Sequence, residues 1–255
     1  MKSYSYLSLI LILFLLISCQ KKHEVFPFKP TANNSIVILG NSFAERMQRN
    51  NYFETLLYGS FPELKLHVRN LGWDADEVNL RPRPLNFGTI QEHLKAQQAD
   101  VIFACFGMNE SFKGPDSLET FNRDLKSLLE NLQQLKPNGK DIPKIILVSP
   151  IAHEKIDGEL PDPATHNKNL KLYSEGMSRI AKELQIPFID LYESTKEEMN
   201  RSKKPLTTDG IHLNDAGYKF VSEIMAKTLD LPLNSWSNDS KLEQLRKLIQ
   251  IKNQH

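Results

Sequence analysis

The chain is poor in cysteine: of its 255 residues only Cys19 and Cys105 carry a thiol. A disulfide framework is thereby excluded, because folds that depend on bridges need several pairs. Charge of one sign is lacking too. The 32 basic residues face 31 acidic ones, a formal net charge of +1, so no electrostatic footprint for nucleic acid is present. No apolar run reaches the roughly 20 residues that span a bilayer. No His/Cys/acid grouping has zinc spacing, and neither a metal nor an organic cofactor is implied. What is there is ordinary globular composition, 40% hydrophobic and 25% charged, in a chain long enough for one well-buried core.

The longest apolar run, Leu7 to Ile17 with only Ser8 interrupting, follows Lys2 and leads into Ser18-Cys19-Gln20. Its length suits a signal-peptide core. Leu16-Ile17-Ser18-Cys19 resembles a lipobox, which implies that Cys19 receives a diacylglyceryl thioether and becomes the mature N-terminus. A plain secretory signal or an uncleaved anchor is the alternative. Each places the domain outside the cytoplasm, and the lipobox implies a membrane-anchored lipoprotein of the periplasm or outer membrane. Residues 1–18 are thus read as the signal. Residues 19–34, polar and carrying Pro27 and Pro30, are read as a tether. With Cys19 modified, Cys105 has no partner. It sits in the apolar run Val101–Phe106 as a buried small hydrophobe rather than a nucleophile.

From residue 35 to 232, short apolar runs alternate with longer amphipathic ones, the pattern of βα units around a parallel sheet. Strands are predicted at Ser35–Leu39, Leu66–Asn70, Asp100–Phe106, Lys144–Ser149 and Pro187–Leu191. Helices are predicted at Ala44–Tyr58, Ile90–Ala96, Ser117–Leu135, Asn169–Leu184 and Asp215–Leu229. The expected fold is α/β: a three-layer α/β/α sandwich with a five-stranded parallel sheet. Residues 233–255 form a tail, helical and charged from Lys241, expected as a solvated surface helix. In such open sheets ligands lie outside the carboxyl ends of the strands, so functional residues should fall just after strands.

Four stretches do. Gly40-Asn41-Ser42-Phe43 follows the first strand and places Ser42 at a helix N-terminus, where free N–H groups favour negative charge. A capping serine is the bland reading. Gly72 follows the second strand and offers an N–H with no side chain in the way, or is a simple turn residue. Gly107-Met108-Asn109-Glu110 follows the third, where the Asn109 amide is a donor for an oxyanion or a turn cap. Asp209-Gly210-Ile211-His212 precedes the last helix of the domain. It supplies a general base, His212, and an acceptor, Asp209, to fix its tautomer, though histidines in loops also serve as hydrogen-bonding residues. Each stretch alone is soft; their order and placement are not.

In these four blocks the chain resembles the SGNH hydrolase superfamily, the GDSL-type esterases and lipases, over about residues 35 to 230. The resemblance implies Ser42 as nucleophile, His212 as base and Asp209 as its orienting acid. It implies an oxyanion hole of the Ser42 and Gly72 N–H groups with the Asn109 side chain. No cofactor is called for. Two positions depart: the usual Gly-Asp-Ser-Leu reads Gly-Asn-Ser-Phe, and the usual Gly-x-Asn-Asp ends in Glu110.

The expected activity is extracytoplasmic hydrolysis of carboxylic esters, with small-molecule or glycan esters as substrates and deacetylation of glycans or oligosaccharides in view. Asn41, Trp73, Glu110, Arg81 and His153 are candidate substrate contacts. Trp73, Asp76, Arg81 and Arg83 crowd a stretch stiffened by Pro82 and Pro84, which reads as a polar cleft or a surface loop. For His153 a structural role is the stronger alternative. The rival readings are an acyltransferase using the same site and a non-catalytic glycan-binding or scaffold lipoprotein that retains the fold.

Overall fold

The computed structural model describes residues 25–156, 158, 161–237 and 239–254. The signal run, the lipobox and Cys19 lie outside them. Five strands form one parallel sheet in the order β2-β1-β3-β4-β5: β1 Ser35–Gly40, β2 His67–Asn70, β3 Val101–Cys105, β4 Lys144–Val148 and β5 Phe188–Ile189. The expected three-layer α/β/α fold is the fold found. Its central strands are buried on both faces, as parallel strands covered by helices must be. Alternate residues of β1 point to opposite sides: Ile36 and Ile38 join Phe103 and Ile146 in one core, while Val37 and Leu39 join Ile102 and Leu147 in the other.

The helices among the described residues are α1 Ser42–Asn50, α2 Tyr52–Ser60, α3 Ile90–Ala96, α4 Met108–Ser111, α5 Leu118–Leu132, α6 Ala164–Glu183, α7 Leu191–Arg201, α8 Asp215–Thr228 and α9 Ser240–Asn253. The single helix expected over Ala44–Tyr58 is two, broken at Asn51, which takes the left-handed conformation (φ 62°) that asparagine tolerates better than most residues. Helix α7 was not anticipated. Asp190 caps it, accepting from Glu193 N–H at 3.3 Å. No helix among the described residues is long and apolar enough to cross a membrane.

The C-terminal tail differs from the expected solvated helix. Helix α9 buries Leu242 and Ile249 and docks on α1 and α2. The Arg246 guanidinium donates to the Asn50 carbonyl at 3.0 Å and lies 4.8 Å from the Tyr52 ring centroid. Lys252 pairs with the buried Glu54 carboxylate, which Asn253 also contacts at 3.0 Å. Charge that reads as solvation in sequence here satisfies a buried acid.

The chain passes from β1 outward to β2 and back across to β3, so β1 and β3 flank the switch point at which open α/β sheets bind ligands. Lys252→Met should lower the unfolding free energy by about 1–2 kcal/mol, because a buried carboxylate loses its charged partner; urea denaturation measures it.

Candidate active site

The nucleophile candidate is placed by a close approach of backbones. Strand β1 ends at Gly40 (φ 146°), where a Cβ would be driven into the Cys105 carbonyl of β3. Asn41 then caps α1, its side chain accepting from Phe43 N–H at 3.1 Å. Asparagine caps as well as the aspartate usual at this position. Ser42 is the first residue of α1, so its own N–H has no intrahelical acceptor. Asn41, expected as a substrate contact, lines a small cavity together with Ser42 but is buried, with its oxygen committed to the cap.

Asn109 arrives from β3. Gly107 (φ 102°) turns the chain into the short helix α4, and the Asn109 Nδ2 donates to the Asp76 carbonyl at 3.0 Å. One of its two N–H groups is left over. Glu110, expected as a substrate contact, is instead a buried brace. Its two oxygens accept from Val78 N–H and Gly107 N–H, both at 2.9 Å. It thereby ties the loop after β2 to the turn after β3. Burial pushes its carboxyl pKa up, against the pull of these N–H groups.

The base candidate sits on a pinched turn. His212 Nδ1 lies 2.7 Å from Asp209 Oδ2, and Asp209 Oδ1 accepts from His212 N–H at 2.9 Å and Ile211 N–H at 3.2 Å. Burial acts to raise the Asp209 pKa, but the bonds from His212 and Ile211 outweigh it and hold the carboxyl below its usual range. The Thr208 N–H to His212 carbonyl bond, 2.8 Å, closes the turn. Ser42, Asn109 and His212 line one cavity of about 30 Å³.

Gly72 is not in that cavity. It packs against Ala44 and Glu45 of α1, where a Cβ would lie 2.5 Å from Glu45 N. Its N–H donates to the Asn70 side chain at 2.8 Å. Gly72 faces a larger cleft, of about 1020 Å³, lined also by Trp73, Asp76, Arg81, Arg83 and Phe87. The stretch read as polar cleft or surface loop is therefore a cleft wall. Phe106 borders both cavities. Trp73 and Phe87 are partly exposed and meet edge to face at 5.6 Å, with the Arg83 guanidinium 4.4 Å from the Trp73 ring centroid.

His153 packs beneath the Asp209–His212 turn. A Cβ on Gly210 (φ 95°) would meet its Nε2 at 2.7 Å, and its Nδ1 is 3.0 Å from His166 Nδ1. His166 Nε2 is 2.7 Å from Ser111 Oγ, which gives its proton to the Met108 carbonyl. Ser111 must then accept, so His166 carries its proton on Nε2 and His153 donates from Nδ1. Burial, with the neighbouring His153, lowers the His166 pKa to about 4, and burial lowers that of His153.

Glu154 follows the fourth strand and was given no role of its own in the sequence, and Thr207 was not singled out. The buried Glu154 carboxylate accepts from Leu206 N–H (2.9 Å), Thr207 N–H (2.7 Å) and Thr207 Oγ1 (2.5 Å), and Glu154 N–H donates to the Gly210 carbonyl (2.8 Å). Thr207 Oγ1 accepts in turn from Gly210 N–H at 3.0 Å. The signal available was position alone, since Glu154 also follows a strand. Among the described residues no group of three or more His, Cys, Asp or Glu could hold a metal.

By architecture the domain is a three-layer α/β/α sandwich. The model of the GDSL-like lipase/acylhydrolase family matches residues 38–220, and the chain belongs to that family. The isoamyl acetate-hydrolyzing esterase of Saccharomyces cerevisiae is 26% identical over 151 residues, 55% of this chain. Those residues are 61% of the relative, so the chain spans about three fifths of that curated protein's length. The acetylxylan esterase Axe2 of Geobacillus stearothermophilus superposes with a TM-score of 0.63 at 20% identity, covering 83% of this chain and 100% of that one. A protein of Parabacteroides merdae ATCC 43184 assigned as a GDSL-like lipase gives 0.66 at 16% identity, covering 80% and 99%. At these identities the two structures show the fold alone.

A histidine whose pKa is lower in the folded chain than its ordinary 6.5 binds fewer protons there than when unfolded. The stability it confers is full above about 6.5 and is lost as pH falls toward about 4. Melting temperature should therefore drop across that window by the equivalent of about 2–3 kcal/mol. His166→Gln should flatten the slope, as thermal scans at stepped pH would show.

Proposed function

We propose that this protein hydrolyses carboxylic esters, small-molecule or glycan, with Ser42 as nucleophile, His212 as general base and Asp209 as the acid that orients it. The observation that carries the reading is the 2.7 Å contact between His212 Nδ1 and Asp209 Oδ2, on a histidine that shares one cavity with Ser42 and Asn109. With its Nδ1 proton held by Asp209, His212 keeps Nε2 unprotonated and able to take a proton. Ser42 Oγ attacks the ester carbonyl as its proton passes to Nε2. The tetrahedral oxyanion is met by the Ser42 N–H and the spare N–H of Asn109. Gly72, expected as a third donor, lines the larger cleft with its N–H held by the Asn70 side chain, and is not counted among these donors. Collapse expels the alcohol, which takes the proton from His212. A water, activated by the same base, then releases the acid and restores Ser42.

Deacetylation of glycans or oligosaccharides is the substrate reading we favour, supported by the open cleft with Trp73 and Phe87 on its wall. Axe2, an acetylxylan esterase, shares the fold. We further propose export and anchoring through a lipid on Cys19, on the strength of the lipobox pattern.

An organophosphate probe should label Ser42, and short p-nitrophenyl esters should be turned over; Ser42→Ala should lose both. Failure of both in the folded wild type would overturn the hydrolase reading in favour of the binding or scaffold one. Asn109→Ala should lower kcat by about 10²- to 10³-fold with an unchanged melting temperature, measured by ester hydrolysis and thermal scan. Globomycin, which blocks lipoprotein signal cleavage, should cause the precursor to accumulate, and Cys19→Ala should release the chain from the membrane fraction.

A further inference from the structure

Among the described residues, the cleft beside the small cavity holds one guanidinium that forms no direct ion pair. Four carboxylates line it, and each has an arginine. Asp76 is held by both Nη atoms of Arg83 at 2.6 Å, Glu45 by Arg49 at 2.7 Å, Asp124 by Arg123 at 3.0 Å, and Asp74 more loosely by Arg46 at 3.9 Å. Arg81 lines the same cleft and has no direct ion pair, although Asp76 and Glu110 act on it at longer range. Its Nη2 donates to the Val78 carbonyl at 2.7 Å, and no carboxylate among the described residues forms an ion pair with it. Burial draws its pKa below the usual arginine range. A guanidinium nevertheless stays charged at neutral pH, so Arg81 is a half-buried cation with most of its planar N–H fork unused.

A fork of that shape matches a carboxylate, which it grips through two parallel N–H···O bonds. The four carboxylates around it disfavour a dianion, so the fit is to a ligand of single negative charge. The position is equally telling. Arg81 anchors on the carbonyl of Val78, whose N–H is held by Glu110 next to Asn109, and the carbonyl of Asp76 receives the Asn109 amide. The unpaired cation therefore stands on the loop that borders the oxyanion donor. The partly exposed Trp73 and Phe87 rings offer the same cleft an apolar face for a ring.

The geometry points to a substrate that carries a carboxylate besides its ester: an O-acylated acidic sugar, held by Arg81 in the large cleft while the ester reaches Ser42. This rests on the ester-hydrolase reading above and adds the class of ester. Arg81 is a specificity-determining residue, and it discriminates by charge rather than by size.

The test compares acetate release from methyl tri-O-acetyl-glucuronoside as the free acid and as its neutral primary amide, with p-nitrophenyl acetate as a check on the ester-hydrolase reading itself. The wild type should prefer the acid by about 10- to 100-fold in kcat/KM, the range expected for a charge-assisted contact. Most of the preference should appear in KM. Arg81→Gln should bring the ratio near one, and Arg81→Lys should keep part of it. Free glucuronate should inhibit the wild type more strongly than glucose, a comparison that needs no variant to fold. Turnover of p-nitrophenyl acetate with an acid-to-amide ratio near one, or a preference that survives in folded Arg81→Gln, would overturn the inference and leave the hydrolase reading standing. No turnover of any ester would overturn both.

Discussion

The contact of Gly40 with the Cys105 carbonyl is the constraint on which the rest of the site depends. Neighbouring parallel strands leave side chains room on either face, but here the backbone of one presses on the carbonyl of the next, and only a residue without Cβ fits. The register that pairs Gly40 with Cys105 makes β1 and β3 end together. Two residues beyond Gly40 stands Ser42, and four beyond Cys105 stands Asn109. Ser42 and Asn109, the proposed nucleophile and amide donor, are thus positioned by strands rather than by flexible loops, which is how a site gains the precision that catalysis demands.

Two buried glutamates extend that rigidity to the parts of the site that are loops. Glu110 bridges the loop after β2 and the turn after β3, and Glu154 grips the segment leading to the Asp209–His212 turn. Each takes up backbone N–H groups that have no strand or helix to satisfy them, and buried donors must be satisfied by something. Neither has a cation as its main partner. Directed donors offset part of the cost of burying each carboxylate.

The fold was legible because the inner parallel strands, buried on both faces, read as short unbroken apolar runs, and all five predicted strands fell within a few residues of real ones. Three of the site blocks were legible because they follow strands; the Asp209–His212 block, which lies beyond α7, was legible only from its place before α8. Burial was not legible. Glu110 beside Asn109 reads as a polar group near substrate, and nothing in the local sequence says that it turns inward to Val78 and Gly107. Asn51 hides inside an amphipathic stretch whose periodicity resumes beyond it. The charged α9 reads as solvated because its partners Glu54 and Asn50 lie some 200 residues away in sequence. Asn70 holding the Gly72 N–H is likewise a relation between side chain and backbone that spacing does not display.

That same α9 ties the start of the domain to its end. The helix bearing Ser42 receives a cation at its last carbonyls from Arg246, where the helix dipole favours positive charge. The residue that caps the Ser42 helix, Arg246, is therefore synthesised nearly 200 positions after it, and a pairing so distant closes slowly. A nascent chain carries Ser42 well before the last helix can dock on α1, so the surroundings of that serine are completed late in folding.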